Sequence, residues 1–123
     1  NDRLVPDRIG WETSDLDIPL PDGMTDSAYL QLLEEALPRL IDREKPDIVF
    51  YLSGVDILET DKFGKLKITA AGCLQRDEIV FNTLRKHHIP CAVAMGGGYS
   101  HHIRDIVNAH CNTFKAGLEI YGC

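Results

Sequence analysis

The sequence predicts an α/β fold: three layers, with a mostly parallel sheet flanked by helices. Three observations carry this. Two continuous apolar runs, "DIVFYLSG" at 47–54 and "IPCAVAM" at 89–95, have the character of strands covered on both faces. Long segments of helical periodicity follow each run, and another precedes the first. The resulting order, strand and helix in alternation three times, is the one that right-handed crossovers turn into parallel pairs.

Taken in order, residues 1–12 show no periodicity and are expected to form an irregular arm. "SDLDIPL", 14–20, alternates polar and apolar residues and predicts a short, half-buried strand. Asp22-Gly23 marks a turn, and Thr25 or Asp26 is placed to cap a helix. From there to Glu44, Tyr29, Leu32, Leu33, Ala36, Leu37, Leu40 and Ile41 recur at helical spacing, with a bend expected near Pro38. After the 47–54 strand a polar loop runs to Thr69. A second helix is expected from Ala70 to His88, with Leu74, Ile79, Val80 and Leu84 inward. Beyond the 89–95 strand, Ser100 could cap a third helix ending at His110, and a last short helix is expected over 113–121.

The 123 residues fit one domain or part of a larger one, and residues 1–123 are read as a single partial domain. A net charge of −6 argues against a general binder of phosphate backbones, so no direct contact with nucleic acid is expected. No apolar run approaches a membrane span and no signal peptide is visible, which predicts a cytoplasmic protein without a membrane partner. Cys73, Cys91, Cys111 and Cys123 lie far apart, without the tight spacing of a zinc ribbon, and are read as free thiols of a reducing compartment. The chain begins at Asn1, so further sequence upstream is expected.

In a parallel sheet, ligands gather at the carboxyl ends of the strands. Asp56 lies just past the first buried strand, where a carboxylate can ligate a metal; it could equally cap a turn or pair with a lysine. Tyr99 follows Gly96, Gly97 and Gly98 at the end of the second, where a phenol can donate to a developing oxyanion, or simply pack on the core. If the two strands are neighbours, both residues point toward one crevice. The pairs His87-His88 and His101-His102 are adjacent in sequence, and adjacent helical positions do not share a face, so neither is read as a metal pair or acid–base dyad.

The ordered set "PLPDG", "SGVD", "DKFGKL" and "MGGGY" resembles the C-terminal half of the zinc-dependent histone deacetylase family, which includes acetylpolyamine amidohydrolases. The resemblance spans about Thr13 to Phe114 and implies the C-terminal half of the arginase/deacetylase-type fold. It implies that Asp56 is a zinc ligand, that Tyr99 stabilises the tetrahedral intermediate, and that Gly96, Gly97 and Gly98 line an acyl-lysine channel. Val55 stands where the family pattern has Ala or Phe. Tyr99 is Tyr rather than the His of some weakly active relatives.

The implied chemistry is zinc-assisted hydrolysis that removes acyl groups from lysine or polyamine amines. The family's Asp-x-His zinc ligands and its His-His dyad do not occur in this sequence, where every histidine follows position 86. The chain by itself is therefore expected to be inactive and not to hold Zn2+ alone. It is expected to self-associate or to pair with a missing N-terminal half. The alternative is a truncated, non-catalytic deacetylase-like module acting in binding or self-assembly. A weaker alternative is a zinc-independent oligomer whose site is completed by a neighbouring chain.

Overall fold

The computed structural model describes residues 14–122. Its elements are α1 (Asp26–Glu44), β1 (Val49–Gly54), α2 (Ala70–Lys86), β2 (Cys91–Gly96) and α3 (Ile103–Tyr121). The architecture is α/β, a parallel sheet flanked by helices. β1 and β2 pair in parallel, with Val49 opposite Cys91 and Gly54 opposite Gly96. The two expected strands are therefore neighbours, and their carboxyl ends leave the sheet side by side.

Packing follows the pleat. Tyr51 and Ser53 point to one face of β1 and are buried. There Tyr51 meets Ile41 of α1, Val80, Phe81 and Leu84 of α2, and Ala116 of α3. Phe50 and Leu52 point to the other face and are 74% and 78% exposed. The apolar runs predicted strands covered on both sides; the described residues cover one.

Under the buried face lies a polar network. Asp77 of α2 is fully buried, and its Oδ1 accepts from Arg76 Nε at 3.1 Å and Nη2 at 2.9 Å. The Tyr51 hydroxyl donates to the same oxygen, and Thr113 Oγ1 of α3 donates to Oδ2. Arg76 Nη1 reaches on to the Gly54 carbonyl at 2.5 Å. One carboxylate thus ties α2 to β1 and α3. Burial, aided by the Asp77 carboxylate, pushes the Tyr51 phenol well above its ordinary range, so it stays a donor.

Several expectations are revised. Residues 14–20 form no strand and are all exposed. Pro19 and Pro21 lack the N–H that a ladder needs. Ser14 instead bonds Asp17 locally, while Arg43 donates to the Asp15 carbonyl at 2.6 Å. At the start of α1, Thr25 occupies the cap position without a side-chain cap bond. Asp26 serves α2 instead, accepting from Thr69 N at 2.8 Å and Thr69 Oγ1 at 2.5 Å. α2 stops at Lys86 because His88 takes a left-handed backbone (φ 57°), and Ile89 N bonds back to Leu84 O.

The expected break between two short helices does not occur either: α3 is one helix of 19 residues. Thr113 had the look of a helix start, yet its hydroxyl is a buried tie to Asp77 within a continuous helix. Ser100 caps nothing; its hydroxyl pairs with Thr60. α1 runs through Pro38 to Glu44, and Lys45 (φ 47°) closes it. Cys73, Cys91 and Cys111 are free thiols. The expected irregular arm, 1–12, and Cys123 lie outside the described residues.

Removing Asp77 strands a buried guanidinium and two hydroxyls. Asp77→Ala is expected to cost about 3–5 kcal/mol, measured by urea unfolding against an exposed control such as Glu34→Ala.

Candidate active site

The site begins with the loop between β1 and α2. Its composition is polar, yet it folds back on itself through paired backbone: Leu58 bridges Ile68, and Thr25 bridges Lys67. Glu59 N bonds Ile68 O at 2.9 Å. Val55, Leu58 and Ile68 are buried with Cys73 and Ala109 in a second small core. These anchors fix the backbone on either side of Asp56, whose own side chain is exposed.

Backbone crowds Asp56 closely, and glycines make room for it. A Cβ on Gly64 would lie 2.0 Å from the Asp56 carbonyl oxygen, a severe overlap. One on Gly54 would lie 2.8 Å from Asp56 Oδ1, and one on Gly97 3.1 Å from both Asp56 N and Asp56 Cβ. The Gly-rich turn after β2 is thereby pressed against the Asp56 loop. Gly97 and Gly98 hold φ of 69° and 108°, values L side chains rarely adopt. They turn the chain so that Tyr99 arrives beside the same loop.

Tyr99 is 59% exposed, and its ring meets the edge of Phe63 with centroids 5.1 Å apart at 71°. Its backbone is tied on both sides. The N–H donates to Asp61 Oδ2 at 2.9 Å, and the carbonyl accepts from Lys62 N at 3.2 Å. Asp61 is buried, and its other oxygen accepts from Phe63 N at 2.9 Å and Gly64 N at 2.8 Å. Burial alone would raise its pKa, but the three backbone donors prevail and hold it below the ordinary carboxylate value.

The structure therefore brings the Asp56 loop, Gly96–Gly98 and Tyr99 together at the carboxyl end of the sheet. The histidine pairs lie at helix ends. His87 ends α2, with Nδ1 2.8 Å from Thr83 O and Nε2 3.6 Å from Asp42. His102 occupies the cap position of α3 without a side-chain cap bond. Among the described residues, no group of three or more His, Cys, Asp or Glu could hold a metal ion. Asp56 brings one oxygen donor, and a catalytic zinc takes three protein ligands. The residues present thus fit zinc as a contribution to a site, not as the whole of one.

Comparison with known proteins decides the family. The histone deacetylase domain matches residues 7–114. The chain belongs to the histone deacetylase domain family. It is 40% identical over 110 residues to an uncharacterized protein of Picosynechococcus, covering 89% of this chain and 37% of that protein. It is 39% identical over 85 residues to histone deacetylase 2 of Arabidopsis thaliana, covering 69% of this chain and 22% of that one. Among solved structures, acetylpolyamine aminohydrolase from Burkholderia pseudomallei superposes with a TM-score of 0.72 at 21% identity. That match covers 85% of this chain and 29% of the aminohydrolase, and speaks to the fold. The chain thus spans well under half the length of these relatives.

Asp61 and Phe63 carry weight that the sequence reading did not assign them. The signal was present within "DKFG": an Asp two and three residues ahead of open N–H groups, ending in Gly, is a side-chain-capped turn. Arg76 was also passed over, as a charge on a helix read for its apolar face.

The overlap at Gly64 gives a direct test of how the Asp56 loop is held. Gly64→Ala should cost about 1–3 kcal/mol through overpacking and displace the Asp56 carbonyl. Thermal melts would measure the first effect. Backbone 13C and 15N shifts of residues 55–57 would report the second, and unchanged shifts would refute the crowding.

Proposed function

We propose that the chain is the C-terminal part of a histone-deacetylase-like zinc amidohydrolase that removes acyl groups from lysine or polyamine amines. The observation that carries this is the in-register pairing of Gly54 with Gly96, which sets the Asp56 and Gly-Gly-Gly-Tyr loops against each other in a chain of this family. Asp56 is one zinc ligand, and Gly96, Gly97 and Gly98 line the approach of the acyl-lysine. The small, unbranched backbone there lets an extended alkyl chain pass close by.

Zinc, held jointly by Asp56 and donors outside the described residues, supplies Lewis-acid polarisation of the amide. The rest falls to this chain's own groups. The Tyr99 hydroxyl donates a hydrogen bond to the amide carbonyl oxygen, a bond that strengthens as that oxygen gains negative charge. Phe63, in T-shaped contact with Tyr99, borders one side of its ring. With one donor of its own, the chain alone does not complete the catalytic centre.

Calorimetric titration of Zn2+ into the chain should show no binding tighter than micromolar, whereas a longer form supplying the remaining donors should bind it and lose it on Asp56→Ala. In that longer form, Tyr99→Phe should lower kcat for acetyl-lysine peptide or acetylputrescine by about 10²–10³-fold. Undiminished turnover would remove Tyr99 from the reaction.

A second reading, a non-catalytic module that acts by self-assembly, has its own observation. Phe50 and Leu52 leave one face of a two-stranded sheet bare, and Ile103, Val107, Phe114 and Leu118 form an exposed apolar stripe along α3. Surface of this kind is an association site. Sedimentation velocity should find the chain oligomeric, and Leu52→Lys should shift it toward monomer; a monomeric wild type would exclude this reading.

A further inference from the structure

We propose that Asp61 is a positioning residue for Tyr99, a buried carboxylate that fixes where the phenol stands without touching substrate. The proposal rests on the reading of Tyr99 as the oxyanion donor.

The need for such a clamp follows from what precedes Tyr99. Two consecutive glycines at positive φ put it on backbone with unusually wide freedom. Its ring is mostly exposed, so packing on the core does not hold it. A phenol that is to meet a developing charge must already stand in place, because reorganising it during reaction forfeits the benefit. Something other than the core has to remove that freedom.

Asp61 does so with both oxygens. Oδ1 gathers the N–H groups of Phe63 and Gly64, which makes the 61–64 turn rigid, and Oδ2 takes the N–H of Tyr99. Hydrogen bonds to an ionised acceptor are stronger than neutral ones, and this carboxylate is buried. Lys62 N to Tyr99 O, the Thr60–Ser100 hydroxyl pair at 2.9 Å, and the bridge of Asp61 to Ser100 close the clamp from the other side. The same turn presents Phe63, whose ring borders the Tyr99 ring. One carboxylate therefore sets both the backbone from which the phenol projects and the neighbour against which it rests. Asparagine in its place keeps one acceptor oxygen and turns an NH2 group toward a backbone donor.

The test is NMR on the 123-residue chain labelled in its backbone, its aspartates and its tyrosine and phenylalanine rings. In the unaltered chain, a through-hydrogen-bond coupling between Tyr99 15N and Asp61 13Cγ is expected, together with cross-peaks between the Phe63 and Tyr99 rings. In Asp61→Asn, Tyr99 amide exchange should quicken by about tenfold or more, and the ring cross-peaks should fade while the α2 and α3 amides keep their protection. A general structural role would instead weaken protection everywhere and leave the ring geometry in the folded fraction unchanged, which overturns the proposal. Should Asp61→Asn fail to fold, the wild-type coupling still decides: its absence, with the Tyr99 amide exchanging freely, overturns the clamp. The functional premise fails separately, through Tyr99→Phe. Unaltered hydrolysis by Tyr99→Phe in the longer, zinc-binding form would remove the catalytic purpose of the clamp, while the ring signals of the 123-residue chain still reported its geometry.

Discussion

The docking of α2 and α3 on β1 turns on one buried carboxylate. Asp77 has no exposed surface, and an isolated charge there would be untenable. It is accommodated because Arg76, Tyr51 and Thr113 supply donors to both oxygens. Such a pair adds little net stability compared with apolar residues of the same shape. Its contribution is directional. The donors sit on α2, β1 and α3, so only one docking of the helices on the sheet satisfies them all. Arg76 then passes the constraint outward: its free arm binds the Gly54 carbonyl, two residues before Asp56. The position of the exposed carboxylate is set from the buried one.

A second constraint is spatial. Parallel strands in register deliver both loops to the same edge, but they deliver backbone, and backbone occupies room. Gly54, Gly64 and Gly97 each stand where a Cβ would come closer to Asp56 than ordinary van der Waals contact allows. Glycine in such loops costs conformational entropy. Asp61 and the paired segments around Leu58 and Ile68 offset it by fixing the loop with hydrogen bonds and a small apolar core. Flexible residue types and rigid geometry coexist here for that reason.

The sequence made the strands, the first two helices and the placing of Asp56 and Tyr99 at strand ends legible, because those rest on periodicity and on topology. What it hid depended on partners distant in the chain. "SDLDIPL" alternates correctly for a strand, but alternation cannot create a neighbour for it, and Pro19 and the Pro21 that follows withhold donors. Thr113 carried the local chemistry of a helix start, while its actual partner, Asp77, is 36 residues away. Ser100 misled in the same way, since its hydroxyl answers Thr60 across the clamp. Asp61 was missed because a turn-forming aspartate and a tyrosine-holding one have the same local sequence. For Thr113, Ser100 and Asp61 a short-range signal was real and a long-range hydrogen bond decided its use.

The bare side of β1 belongs to the same argument. A strand reading as continuous apolar residues is a statement about two faces, and the described helices answer only one. Fully burying a side chain such as Phe50 or Leu52 gains about 1.5–3 kcal/mol, and with both exposed the described fold forgoes that twice. The two strands among the described residues are also close to the lower limit of a sheet that stands independently. The polar network of Asp77 cannot make up the difference, since it supplies orientation more than net stability. Apolar surface laid on Phe50 and Leu52 would therefore stabilise the strand from which the Asp56 loop departs. In the proposed amidohydrolase, covering that face and completing the donors around Asp56 would both act on the same short strand, so the one would favour the other.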